Sequence, residues 1–217
     1  METVVSLASP DKNPDKRGAR MNLPNQLTVS RFGLTGLFLV ALLVPFPFHE
    51  TLALFLFAAA SITDYFDGAL ARKHGLITNF GILMDPLADK ILTGSAFIAF
   101  VELKWMPAWM VVIIVGRELA ITGLRLLAAS KSLVLAAEGF GKHKTITQIV
   151  CILCILVSLA YPTWGEMART VLEYSVIRGA PWFAAVTEAS KWAAVGLTLL
   201  SGSMYLWRNR EVYLRDM

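Results

Sequence analysis

Cysteine is scarce in this sequence, with two residues in 217. They stand as Cys151-x2-Cys154 inside an apolar run, and no second pair completes a zinc site or a disulfide framework. Packing is therefore their expected role, and nothing calls for an oxidising compartment. Charge is sparse as well, at 17% of residues. No basic stripe with interleaved aromatics occurs, which argues against nucleic acid as a partner. Internal repeats and low-complexity segments are missing too, which counts against the repeated halves common in transporters. Residues 1–20 lack the apolar core that follows the basic start of a cleavable signal peptide. They hold Pro10, Pro14, Lys12, Lys16, Arg17 and Arg20, and are expected to form a disordered cytoplasmic tail.

What the chain has in abundance is apolar sequence. Hydrophobic residues make up 56%, and the mean hydropathy is +0.58, above an ordinary soluble domain. Apolar stretches near the ~20-residue spanning length recur, giving expected spans over 27–45, 51–72, 80–101, 107–129, 141–161 and 182–207. The expected fold is an all-α integral membrane protein with six transmembrane helices. A membrane domain over 21–210 lies between the tail and a short cytoplasmic terminus, 211–217. Pro45, Pro47, His49 and Glu50 read as a turn with His49 a solvated loop residue, and 162–181 as a longer loop, partly an interfacial helix. An even number of spans puts both basic ends on one side, with Arg72–Lys73 and the Lys131–Lys144 segment. Lys104, Arg169 and Arg178 are the clear loop positives opposite. That asymmetry orients the first set toward the cytoplasm of a plasma (inner) membrane. The net charge of +4 suits a face toward anionic lipid.

Within this apolar background one stretch is acidic. Asp64, Asp67, Asp85 and Asp89 fall in Asp64-Tyr-Phe-Asp67-Gly68-Ala-Leu-Ala71-Arg72, eight residues, then Gly81-Ile-Leu-Met-Asp85-Pro-Leu-Ala-Asp89. On helices, Asp64 and Asp67 share a face by their spacing of three, and Asp85 and Asp89 by their spacing of four. Two such helices facing each other bring four carboxylates together. Near a bilayer these cannot all stay ionised without cations, because each meets desolvation and its neighbours' repulsion. A site for two divalent ions resolves the conflict, and oxygen-only ligation points to Mg²⁺ or Mn²⁺. Gly68 leaves room for close approach, and Arg72 offers a planar fork for phosphate.

The pattern D-x2-D-G-x2-A-R-x8-G-x3-D-x3-D, with every fixed position filled, resembles the signature of the CDP-alcohol phosphotransferases. The resemblance covers about residues 22–210 and implies that family's fold and its reaction. There an alcohol attacks the lipid-side phosphorus of a CDP-alcohol and CMP is released. By that likeness Asp64, Asp67 and Asp85 match metal ligands, and Asp89 matches the position that ligates the second metal and acts as general base. Gly68, Ala71 and Arg72 match residues holding the CDP moiety, joined by Asn25 and Thr78. The entry segment Pro24-Asn25-Gln-Leu-Thr28-Val-Ser-Arg31 resembles the family's first helix, which makes Arg31 a phosphate-facing or headgroup-facing charge. Homodimerisation is a further implication of the family.

Downstream, Arg117-Glu118, Arg125 and Gly141-Lys142-His143-Lys144-Thr145-Ile-Thr-Gln148 are similar to the branch of the family that makes phosphatidylglycerophosphate. An acceptor with its own phosphate needs several cations, so Arg117, Arg125, Lys142 and Lys144 are the expected binding residues for sn-glycerol 3-phosphate, with CDP-diacylglycerol as donor. A structural Arg117–Glu118 pair and ordinary inside-facing lysines are the plainer readings of the same residues, and His143 is expected to be a spectator. Cardiolipin synthesis, whose acceptor also carries a phosphate, is the nearest alternative within the family. A divalent-cation transporter is the alternative outside it, but that activity has no need of Gly68, Arg72 and lysines on one face.

Overall fold

Prolines and short polar turns cut the apolar sequence into long helices. The structure, a computed structural model, describes residues 23–74, 79–130, 140–177 and 180–210. Within these, the side chains of 23–29, 64–74, 79–89, 129–130, 140–143 and 176–177 lie outside the description. Both expected tails, 1–20 and 211–217, also lie outside the described residues. The helices are α1 (Leu23–Leu43), α2 (His49–His74), α3 (Asn79–Glu102), α4 (Ala108–Ser130), α5 (Phe140–Ala160), the short α6 (Glu166–Leu172) and α7 (Trp182–Arg208). The six expected spans thus coincide with the six long helices to within a few residues at each end. One segment among the described residues, Lys144–Thr163, is both long and apolar enough to cross a membrane, with a mean hydropathy of 2.0. Ser30–Leu43 and His49–Thr63 are shorter apolar helical stretches.

Two details depart from expectation at the end of the bundle away from the aspartates. His49 is the first residue of α2, not a solvated loop residue. Its ring is about one-fifth exposed, with Nδ1 3.1 Å from the Ala41 carbonyl oxygen and Nε2 3.2 Å from Glu50 Oε1. Pro45 and Pro47 both precede the helix start and obscured it, because neither stands at the first helical position. The described residues between 161 and 181 also form more regular structure than a loop. A 3₁₀ turn at Tyr161–Thr163 is followed by α6 and by an antiparallel pair, β1 (Ser175–Ile177) with β2 (Ala180–Pro181). The expected partial helix is α6; the hairpin is too short to leave an alternating pattern in sequence. Trp182 Nε1 donates to the Val171 carbonyl at 2.8 Å and Trp164 Nε1 donates to Thr51 Oγ1 at 2.8 Å, pinning this segment onto α7 and α2.

α3 ends in a two-bond cap. The Lys104 N–H donates to Val101 O at 3.0 Å and the Trp105 N–H to Phe100 O at 2.9 Å. Lys104 takes a φ of 60° to allow this, at a position where glycine is usual.

α1 packs against both α2 and α3, α5 fills the space beside α2, and α7 lies against α4 and α5. The main core is apolar: Phe38, Leu42, Phe57, Phe97, Phe100, Met106, Ile114, Ile152, Ile155 and Leu156 are all fully or almost fully buried. Phe38 and Phe57 meet with ring centroids 5.6 Å apart. Cys151 is buried and Cys154 half-buried, both as free thiols, in keeping with a packing role. Outward faces are apolar as well: Leu37, Phe55, Ile98, Val112, Leu119, Leu126, Trp192 and Leu200 are exposed. Apolar residues thus cover outer faces of the helices as well as filling the core.

Candidate active site

Chain direction gathers the candidate residues at one end. α2 ends at His74 and α3 begins at Asn79, so Asp64, Asp67, Gly68, Ala71 and Arg72 on α2 lie at the same end as Asp85 and Asp89 on α3. Both stretches are continuous helix, as their spacing predicts. The side chains of these seven residues, and those of Asn25 on α1 and Lys142 on α5, lie outside the described set; Thr78 lies outside the described residues altogether. Among the described side chains no three of His, Cys, Asp or Glu come together.

Beside the aspartate-bearing helices, the structure describes a charged junction. Glu118, near the middle of α4, accepts from Lys144 Nζ of α5 through Oε1, and the same oxygen is 3.4 Å from Arg117 Nη1. The Lys144 and Glu118 side chains are 8% and 20% exposed, so this pairing happens largely away from solvent. Arg117 also donates through Nη2 to Ser201 Oγ of α7 at 3.3 Å. Its stem lies across Gly202, where an added Cβ would stand 2.7 Å from Arg117 Cγ and force that stem to shift. Arg125, two turns on, donates through Nε to Tyr205 Oη at 3.3 Å and stacks over that ring at 5.6 Å.

A further contact ties this junction to the acidic helix. Lys90, which follows Asp89 on α3, donates from Nζ to Thr122 Oγ1 of α4, and Thr122 Oγ1 donates at 2.8 Å to the Glu118 carbonyl. The Asp89 turn of α3 therefore sits beside the Glu118–Thr122 turn of α4. Arg31 of α1 is buried at 4% exposure, which is not the position of an arginine snorkelling to lipid headgroups.

Of the expected cations, Arg117 and Lys144 converge on one carboxylate, while Arg125 stands further along α4. Sequence reasoning missed the α7 side of the junction. Ser201 and Gly202 look like an ordinary small-residue stretch of an apolar helix, and their spacings of four and three from Tyr205 were the available signal for a shared face.

Comparison with known proteins bears on the family of the chain. Residues 21–200 match the CDP-alcohol phosphatidyltransferase family. The chain is 37% identical over 188 residues to the CDP-diacylglycerol–glycerol-3-phosphate 3-phosphatidyltransferase of Bacillus subtilis, covering 78% of this chain and 97% of that one. It is 32% identical over 184 residues to the protein of the same name from Rickettsia bellii, covering 85% and 93%. The aspartate-bearing helix pair and these matches along most of the sequence lead to one conclusion: the chain belongs to the CDP-alcohol phosphatidyltransferase family.

Proposed function

We propose that this protein transfers the phosphatidyl group of CDP-diacylglycerol to sn-glycerol 3-phosphate, giving phosphatidylglycerophosphate and CMP. The observation that carries the reading is the match to relatives named for that reaction over most of both chains. The cationic junction supports it, because a phosphorylated acceptor needs fixed positive charge beside the acidic helices. Arg117, Arg125, Lys142 and Lys144 hold the acceptor phosphate. Asn25, Gly68, Ala71, Arg72 and Thr78 hold the CDP portion. Asp89 takes the proton from the acceptor hydroxyl as its oxygen attacks the lipid-side phosphorus.

The donor set also fits divalent ions: Asp64, Asp67, Asp85 and Asp89 offer only oxygen, on two helices that follow one another in the chain, α2 ending at His74 and α3 beginning at Asn79. Two ions, Mg²⁺ or Mn²⁺, would neutralise the diphosphate and the charge that develops on the departing CMP.

The same reading makes the six long helices transmembrane, with the aspartate end toward the cytoplasm of the inner membrane. Trp182 and Trp207 support it: they begin and nearly end α7, about 37 Å apart at helical rise, a distance that puts both near bilayer interfaces. Homodimerisation belongs to the proposal as a family trait.

The test is CMP release by purified, detergent-solubilised protein supplied with CDP-diacylglycerol, divalent metal and a panel of acceptors. Release that depends on glycerol 3-phosphate and stops with a chelator is expected. Release with phosphatidylglycerol alone would make the enzyme a cardiolipin synthase, and no release with any alcohol would overturn the reading.

A further inference from the structure

An acidic residue at the centre of an anion-binding pocket is at first sight a mistake. Glu118 repels the phosphate that Arg117 and Lys144 are there to attract. It is nevertheless the residue on which both cations converge, and it comes from a third position in the bundle's charged layer. Lys144 reaches it from α5, Arg117 from the preceding residue on α4, and Lys90 of α3 braces its turn through Thr122. Lysine and arginine side chains have many rotamers, and fixing one at the moment of binding costs entropy. A carboxylate that holds both in place beforehand removes that cost, provided the incoming phosphate, with its larger charge, outcompetes it.

We propose that Glu118 is a positioning residue for the acceptor site: it pre-sets Arg117 and Lys144 to receive the phosphate of glycerol 3-phosphate and acts through them rather than on the substrate. The inference rests on reading those two cations as acceptor-binding. Three features of the junction carry it. Glu118 Oε1 is shared between the two cations. Arg117 is held from its other side by Ser201 and has a stem channel formed by Gly202, so its place is built by α7 as well as by Glu118. The Lys90–Thr122 bridge sets the α4 turn that begins at Glu118 beside the α3 turn that carries Asp89.

The experiment compares steady-state CMP release for wild type, E118A, E118Q, K144A and the double variant E118A/K144A, varying each substrate in turn. For E118A the expected result is a KM for glycerol 3-phosphate raised about tenfold, with the KM for CDP-diacylglycerol within about twofold of wild type. In the K144A background the same substitution should raise that KM by less than about threefold, because most of what Glu118 holds is already gone. E118Q keeps an acceptor oxygen and should fall between wild type and E118A, and it serves as the test if E118A does not fold. Equal effects of E118A with and without Lys144 would overturn the proposal, as would E118Q with an unchanged KM. Wild type lacking activity with glycerol 3-phosphate would remove the functional reading itself. K144A with an unchanged KM would remove the pocket assignment instead.

Discussion

The bundle has two kinds of helix contact. Where α1, α2, α3 and α5 meet, the contact is almost wholly apolar, built from Phe38, Phe57, Phe97, Phe100, Ile152 and Leu156. Where α7 meets α4 and α5, polar pairs recur between apolar ones such as Ile121 and Leu124 beside Tyr205. Ser158 pairs with Thr187 at 3.0 Å, Gln148 Nε2 donates to Thr198 Oγ1 at 3.2 Å, Arg117 reaches Ser201 and Arg125 reaches Tyr205. In water the apolar half would need no explanation. In the bilayer setting proposed above, hiding apolar surface would gain little and close packing would have to hold the helices together. Polar groups gain the most from partners there, so the α7 seam fixes which helix faces which. Charge along the seam is graded too. Lys191, 5% exposed and 2.5 Å from Glu188, lies toward one end, and Arg117, Glu118 and Lys144 lie toward the other, with the neutral Gln148–Thr198 pair between. That is the order expected if the middle of the seam is deepest in hydrocarbon.

The sharpest way to test the division of labour is to damage the chemistry without touching either contact. Asp89→Asn should lower turnover about 10³-fold, in the range of a lost general base, with an unchanged thermal midpoint and nucleotide still bound. A lower midpoint would mean that the acidic helix is held by its charges rather than by the apolar half. Phe57→Ala does the reverse. It empties a fully buried site against Phe38 and should cost about 3 kcal/mol, the low end for such truncations because lipid already supplies part of the transfer term. The folded fraction should keep both KM values. A raised KM for either substrate would show that the apolar half shapes the site after all.

Much of this was legible in the sequence, and the limits have physical causes. Helix positions followed from apolar run length and proline, which are local signals. The acidic turns were legible because carboxylates in apolar sequence are costly and therefore conspicuous. His49 was misread since its partner is the Ala41 carbonyl on the preceding helix, a contact that no local pattern encodes. The α7 half of the charged junction was invisible for the same reason. Ser201 and Gly202 matter through Arg117, 84 and 85 positions earlier in the chain, and small residues in a membrane helix ordinarily signal close helix packing alone. Gly202→Ala turns this into a measurement. Its methyl group would meet the Arg117 stem rather than a free side-chain end, so it should raise the KM for glycerol 3-phosphate about tenfold, near 1.4 kcal/mol. The KM for CDP-diacylglycerol should stay put. No change would mean that Arg117 moves aside and the α7 seam does not set the site.

The smallest effect should come from the middle of the seam, and it is the most informative about the comparison. Gln148 and Thr198 are both buried and hydrogen-bonded to each other, one helical turn from Lys144 and Ser201 respectively. Interhelical hydrogen bonds inside membrane proteins contribute about 0.6 kcal/mol on average, because the separated helices also find partners. A double-mutant cycle of Gln148→Leu and Thr198→Val, read by thermal unfolding in detergent, should give a coupling near ~0.6 kcal/mol, with both KM values unchanged. A coupling above about 2 kcal/mol would reverse the division drawn between the two contacts. The polar seam would then hold the bundle together, and the apolar half would merely fill it. A coupling near zero would leave register, not strength, as the contribution of Gln148 and Thr198, since either partner buried alone opposite an apolar neighbour still disfavours a slipped α7.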